Sequence, residues 1–314
     1  MGSGVATGNI YNLYDARDSM RPRLLCQLSG VLGVHFLSPT ELGYIKRSSE
    51  APGSTNTLIR LDLVTHKVQT VVSGQQPIDD FSWSTDRTAV AFRLNDQVFV
   101  RHGNTAPIRV PLPPMAGLGE DFAGYSFQQA LHLSGDGRYL SIVETRSGRL
   151  QVFDATTGAL VWGATPGTAF DIRTMAVWTR DGHRLYWRDN AGVHRWDPPS
   201  AVTTIAPGVI WYDPSVSAEG RRVAHTVRNA QTFVPHVEIL DVQTGQSQSV
   251  SPPLRAGAVF ASSSTIWYGG ETFTPDQLPS SSRTGQLFSY DLASRQETVL
   301  PLTAGDWLEL EPGS

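Results

Sequence analysis

The run Ser134-Gly135-Asp136-Gly137-Arg138-Tyr139-Leu140-Ser141-Ile142-Val143 decides the fold. Its first half is a tight polar turn, and Asp-Gly supplies the positive φ that such a hairpin turn needs. Its second half is short, apolar and rich in aromatic and β-branched residues, which reads as a strand. The unit is therefore two antiparallel strands joined by a turn.

The turn recurs as Ser84-Thr85-Asp86-Arg87, Thr179-Arg180-Asp181-Gly182-His183 and Ser217-Ala218-Glu219-Gly220-Arg221. Degenerate copies stand at Ser38-Pro39-Thr40-Glu41 and Ser262-Ser263-Ser264-Thr265. The acidic positions Glu41, Asp86, Asp136, Asp181 and Glu219 recur at roughly 45-residue steps, the mark of a solenoid, propeller or array. A second landmark closes a strand with Asp and a polar turn: Asp62, Asp154-Ala155-Thr156-Thr157-Gly158, Asp197, Asp241-Val242-Gln243-Thr244-Gly245 and Asp291. There the carboxylate accepts hydrogen bonds from the N–H groups of the turn. No stretch has helical period and caps.

Each repeat thus reads as four antiparallel strands, a to d. Six are visible, at 31–73, 78–111, 126–162, 172–206, 211–250 and 256–301. A length of 314 residues over a period of about 45 gives about seven units. Asn9–Asp15 matches a strand c, Arg23–Leu28 a strand d, and Asp306–Glu311 a strand a, with a short strand b around Gly4–Thr7. The ends then share a closing blade, from 4–29 plus 306–311. The expected fold is all-β, one β-propeller domain spanning 1–314, with seven blades and with six as the alternative.

The Ser-x-Asp-Gly-Arg turn before an apolar strand, and the Asp-x-x-Thr-Gly turn after strand c, resemble the TolB-like, WD40-like (PD40) propeller repeats of bacteria. Residues 126–250 carry the likeness best. The sequence departs from true WD40 repeats: there is no Gly-His start, and Trp196-Asp197 is a single instance. The resemblance implies a protein-binding scaffold, a sensor ectodomain or a domain attached to an enzyme, in the periplasm or outside the cell. Function does not follow from the fold alone.

Composition narrows the classes. The net charge is −4, so no nucleic-acid footprint is expected. Of the 25 basic side chains only Lys46 and Lys67 are lysine, so anion contacts fall to planar guanidinium groups. A single cysteine, Cys26, excludes an intramolecular disulfide framework and reads as a small buried hydrophobe. No apolar run approaches the roughly 18–20 residues of a membrane helix, so no membrane insertion is expected. Met1-Gly2-Ser3-Gly4 has neither the charged nor the apolar region of a signal peptide. The sequence contains no G-x-S-x-G, G-x-x-x-x-G-K-[ST] or H-E-x-x-H pattern.

The long b-to-c loops fall at Arg47–Thr57, Arg228–Pro235 and Gly269–Gly285. Long loops on a rigid scaffold are where function concentrates. The binding residues expected there are Arg47, Glu50, Arg228, Gln231, Glu271, Phe273, Asp276 and Arg283. Trp211 and Tyr212 are added as a stacking surface at a d-to-a connection. The partner expected is a protein or peptide, with a glycan as the alternative. No cofactor is expected, except that polar residues at the channel mouth suit a cation such as Ca²⁺. The candidate ligands are His35, Asp79, His132, Asp171 and Asp213. The leading function is a non-catalytic binding module. The alternatives are a metal-assisted lyase or lactonase at the channel mouth, and a sensor domain of a larger receptor or enzyme.

Overall fold

The computed structural model describes residues 10–15, 21, 23–47, 56–74, 78–94, 97–112, 129–144, 149–164, 176–199, 201–229, 231–272 and 282–303. Among them are 26 strands in seven antiparallel sheets and no helix. β1 (Ile10–Asp15) and β2 (Arg23–Ser29) form a two-stranded sheet. Six four-stranded sheets follow, each in chain order. Blade one is β3 (Val31–Ser38), β4 (Glu41–Arg47), β5 (Asn56–Asp62) and β6 (Val68–Gly74). Blade two is β7 (Ile78–Trp83), β8 (Ala89–Leu94), β9 (Gln97–His102) and β10 (Ile108–Val110). Blade three is β11 (Gln129–Leu133), β12 (Tyr139–Glu144), β13 (Leu150–Asp154) and β14 (Leu160–Ala164).

Blade four is β15 (Ala176–Trp178), β16 (Leu185–Asp189), β17 (Gly192–Asp197) and β18 (Ala201–Pro207). Blade five is β19 (Tyr212–Val216), β20 (Arg222–Arg228), β21 (Pro235–Asp241) and β22 (Gln246–Ser249). Blade six is β23 (Arg255–Phe260), β24 (Thr265–Thr272), β25 (Ser282–Asp291) and β26 (Gln296–Thr303). The first strands touch in succession: β3 with β7, β7 with β11, β11 with β15, β15 with β19 and β19 with β23. They therefore line a common axis, and the fourth strands lie at the rim. The strand expectations at 4–7 and 306–311 lie outside the described residues.

Each seam is filled by its own apolar cluster. Leu13 packs with Val31, Leu42 and Tyr44 between the β1–β2 pair and blade one. Ile45, Leu58, Phe81 and Phe92 fill the next seam, and Val100, Leu131, Leu140 and Phe153 the one after. Between blades three and four the filling is aromatic: Trp162 and Trp196 stack at 5.2 Å, and Tyr139 and Trp178 at 6.0 Å. An inner sheet is covered on both faces by its neighbours. That is why Ala89–Phe92 is buried without alternation, whereas Ala201–Thr204 at the rim is exposed.

The recurring turn explains its own sequence. Ser134 Oγ donates to Asp136 Oδ1 at 2.7 Å, and Tyr139 N donates to Ser134 Oγ at 2.9 Å. Thr179 and Asp181 repeat this at 2.6 Å, and Ser84 and Asp86 at 2.6 Å. Gly137, Gly182 and Gly220 adopt φ of +70°, +75° and +71°. In blade two Arg87 holds that place at φ +63°.

The closing aspartates behave as expected in four blades: Asp62, Asp154, Asp241 and Asp291 each accept two N–H groups of the following turn. Asp197 departs from the pattern. A cis Pro198-Pro199 bond follows it, and its carboxylate takes Arg195 at 2.7 Å and Arg184 at 3.5 Å instead. Proline has no N–H to offer such a turn. Cys26 is a free thiol, only partly buried against the first cluster rather than enclosed in it.

Candidate functional site

The topology sends the d-to-a and b-to-c connections to one face, the upper one, and the two turn families to the lower. At the upper ends of blades four to six the structure gathers a cation–aromatic group. Tyr212 opens β19, Arg228 closes β20 and Glu271 stands near the end of β24. Arg228 Nη2 donates to the Glu271 oxygens at 3.4 and 3.5 Å. The Arg228 guanidinium lies 5.9 Å from the Tyr212 ring centroid, and that of Arg188, near the end of β16, lies 5.1 Å from it. One tyrosine thus carries two cations, an arrangement its ring quadrupole favours.

A bulge aims that tyrosine. The β19–β20 register shifts between Tyr212 and Ser215, where Asp213 adopts φ +47° ahead of Pro214. Bulges redirect side chains at sheet ends. The adjoining b-to-c loop is a built turn: Asn229 Oδ1 accepts from Gln231 N and Thr232 N, both at 2.9 Å. It presents Phe233 at φ +56°, with 49 % of its surface exposed. Ile210, on the d-to-a connection of the same blade, is 43 % exposed.

The axis carries a second polar group. His35 and His132 occupy equivalent ladder positions, opposite Gly43 and Ser141. Asp80 sits between them in blade two, accepting from Leu131 N at 3.2 Å and from Arg93 Nη2 at 3.5 Å. Burial, working against the nearby Arg93, raises the Asp80 carboxyl above its usual range. Burial lowers His132 to about 4, and the neighbouring His35 adds to that. His35 meets the edge of Phe81 at 4.9 Å.

Several expected site residues move. Trp211 is fully buried in the seam between blades four and five, so it offers no stacking surface. The strands of blade six run further than the sequence suggests, to Thr272 and from Ser282. Glu271 is therefore a buried strand residue rather than a loop residue, and Arg283 pairs opposite it in the β24–β25 ladder. Tyr212, Arg228 and Gln231 do lie together at the upper end of blade five. Glu50, Phe273, Asp276 and Asp171 lie outside the described residues. Arg47 ends β4 and Asp79 lies in β7.

Among the described residues no three His, Cys, Asp or Glu side chains are grouped to hold a metal ion. The sequence reading missed Arg93, Arg188 and Phe233. The two arginines share one register position, four residues into strand b from the lower turn, opposite Val98 and Val193. A cation repeated inside an apolar strand was their signal. Phe233 had none beyond lying in a long loop.

Radial four-stranded sheets with their first strands inward define a β-propeller. Neither a known protein-family model nor a curated protein sequence matches the chain. Solved structures do. TolB from Acinetobacter baumannii matches over 97 % of this chain and 79 % of its own, with 18 % identity and a TM-score of 0.51. The β-propeller domain of the Trilobed protease from Pyrococcus furiosus, described as having an open velcro topology, matches over 88 % and 83 %, with 12 % identity and a TM-score of 0.58. An acylaminoacyl peptidase in complex with a chloromethyl ketone matches over 88 % of this chain and 46 % of its own, with 12 % identity and a TM-score of 0.58. By fold, the chain is a β-propeller similar to these, and its seven sheets fit seven blades.

Proposed function

We propose that this propeller is a non-catalytic binding module that takes a protein or peptide on its upper face at blade five. One observation carries the reading: Phe233 and Ile210 are exposed on the two upper loops of the blade that also carries Arg228 and Tyr212. Aromatic and arginine side chains dominate the energetics of protein interfaces, and a rigid turn presents Phe233 at little entropic cost. The flanking cations on Tyr212 favour a segment with an acidic residue next to an apolar one. Among the described residues, no three His, Cys, Asp or Glu side chains are grouped in favour of the metal-assisted lyase or lactonase reading.

The test is selection of peptides on the intact protein from a displayed library, followed by affinity measurement against Phe233→Ser and Tyr212→Leu. Both variants should weaken the selected peptides by about tenfold or more. Affinities unchanged in both would remove blade five from the reading, and a library that yields no binding peptide would remove its partner class.

A further inference from the structure

The lower end of the seam between blades one and two holds a cavity of about 80 Å³. One water needs roughly 10–15 Å³, so there is room for a small polyatomic ion. Two cross-strand rows face each other there. In blade one the row is Gly43, Arg60 and Gln69; in blade two it is Trp83, Val90 and Arg101. A Cβ on Gly43 would come within 2.8 Å of Trp83 Nε1, so the glycine is what seats the indole in the seam. Arg87, from the lower turn of blade two, also lines the cavity.

Arg60, Arg87 and Arg101 line this space, and among the described residues no Asp or Glu does. Glu41 lies alongside and is shared: Arg60 donates to its Oε1 at 2.6 Å and Arg87 to its Oε2 at 2.7 Å. The nearby carboxylates Asp62 and Asp86 are committed to the N–H and hydroxyl groups of their own turns. Arg101 gives one Nη to the Val71 carbonyl. Its Nε–H and the Trp83 indole N–H are buried without an acceptor. A buried donor left unsatisfied is costly, and an oxygen-rich anion is the group that removes the cost.

We propose that this seam cavity binds one small oxyanion of the phosphate or sulfate class, held by Arg60, Arg87 and Arg101. Planar guanidinium groups match the geometry of such oxygens, and the ion would tie blade one to blade two. A free ion and a phosphoryl group on a larger molecule share this chemistry.

The test is calorimetric titration and thermal unfolding of the intact chain with sodium phosphate, sulfate and chloride at matched ionic strength. Phosphate or sulfate should give saturable heat and a raised Tm, and chloride neither. The affinity should fall about tenfold in Arg87→Gln, whose side chain is 40 % exposed and leaves the fold standing, and further in Arg101→Met. Circular dichroism verifies that both variants are folded. Competition by phenyl phosphate would support a phosphoryl end group, and its failure beside bound phosphate would support the free ion. An equal response to all three salts, or an undiminished phosphate response in both variants, overturns the proposal.

Discussion

Gly135 stands against the main-chain oxygen of Arg180 in the next blade, so close that a Cβ on it would lie 1.8 Å from that oxygen. The contact is mutual, because a Cβ on Gly182 would lie 2.5 Å from Asp136 Oδ1. The two lower turns interlock, and the second residue of the motif in blade three is glycine for the neighbour's sake. Gly135→Ala should cost roughly 2–3 kcal/mol or more, since backbone cannot yield to overpacking. Gly103→Ala, at φ +51° with nothing within 4 Å, should cost only about 1 kcal/mol from its backbone conformation. Denaturant unfolding separates the two; equal losses would refute the interlock.

Arg228 pairs with the buried carboxylate of Glu271 at 3.4 Å. Arg228→Ala should destabilise the protein by roughly 1–3 kcal/mol, because Glu271 is left buried and unpaired. Much of that loss should return in Arg228→Ala/Glu271→Gln. A double-mutant cycle measures the coupling, and a value near zero would mean that the pair contributes nothing to the upper end of blade five.

His225 is wholly enclosed, and burial lowers it to about 4 from an ordinary value of 6.5. Between those values the unfolded chain binds a proton that the folded chain refuses. Stability is therefore full above pH 6.5 and is lost as the pH falls toward 4. At pH 5 this one group should cost about 2 kcal/mol relative to pH 7.5. His132 acts in the same direction. The measurement is urea unfolding at both pH values for the wild type and for His225→Gln. The variant should lose less on acidification, and an identical loss would refute the assignment.

The closing aspartates should not be equivalent. Asp154→Ala removes bonds to Thr156 N at 2.9 Å and to Thr157 N at 2.8 Å, and should cost about 1–2 kcal/mol. Asp197→Ala removes only surface ion pairs with Arg184 and Arg195 and should cost less than about 1 kcal/mol. Thermal unfolding of the two variants ranks them.

The β1–β2 pair covers one face of blade one. Removing residues 1–29 would bare Val31, Leu42 and Tyr44, and should lower Tm and raise binding of a hydrophobic dye. An unchanged Tm would mean that the pair is no part of the ring. If residues 306–311 supply the closing strand, their removal should lower Tm as well.

The blades were legible because their rules are local. A serine that holds an aspartate, a glycine at positive φ and an aspartate that collects two N–H groups all act within about five residues, and each leaves a motif. The upper ends were not legible. Nothing local says that β24 extends through Glu271, or that Trp211 turns into a seam while Tyr212 beside it meets two arginines.

By itself, then, the sequence determined a ring of four-stranded blades, their order and their lower turns, since each rests on contacts between near neighbours in the chain. Only the tertiary structure decided which charges meet. Arg60 and Arg87 reach one glutamate, and Arg188 and Arg228 one tyrosine, from different sheets. Such pairings depend on how one blade is turned against the next, and that angle is set by the side chains filling the seam, not by any spacing along the chain.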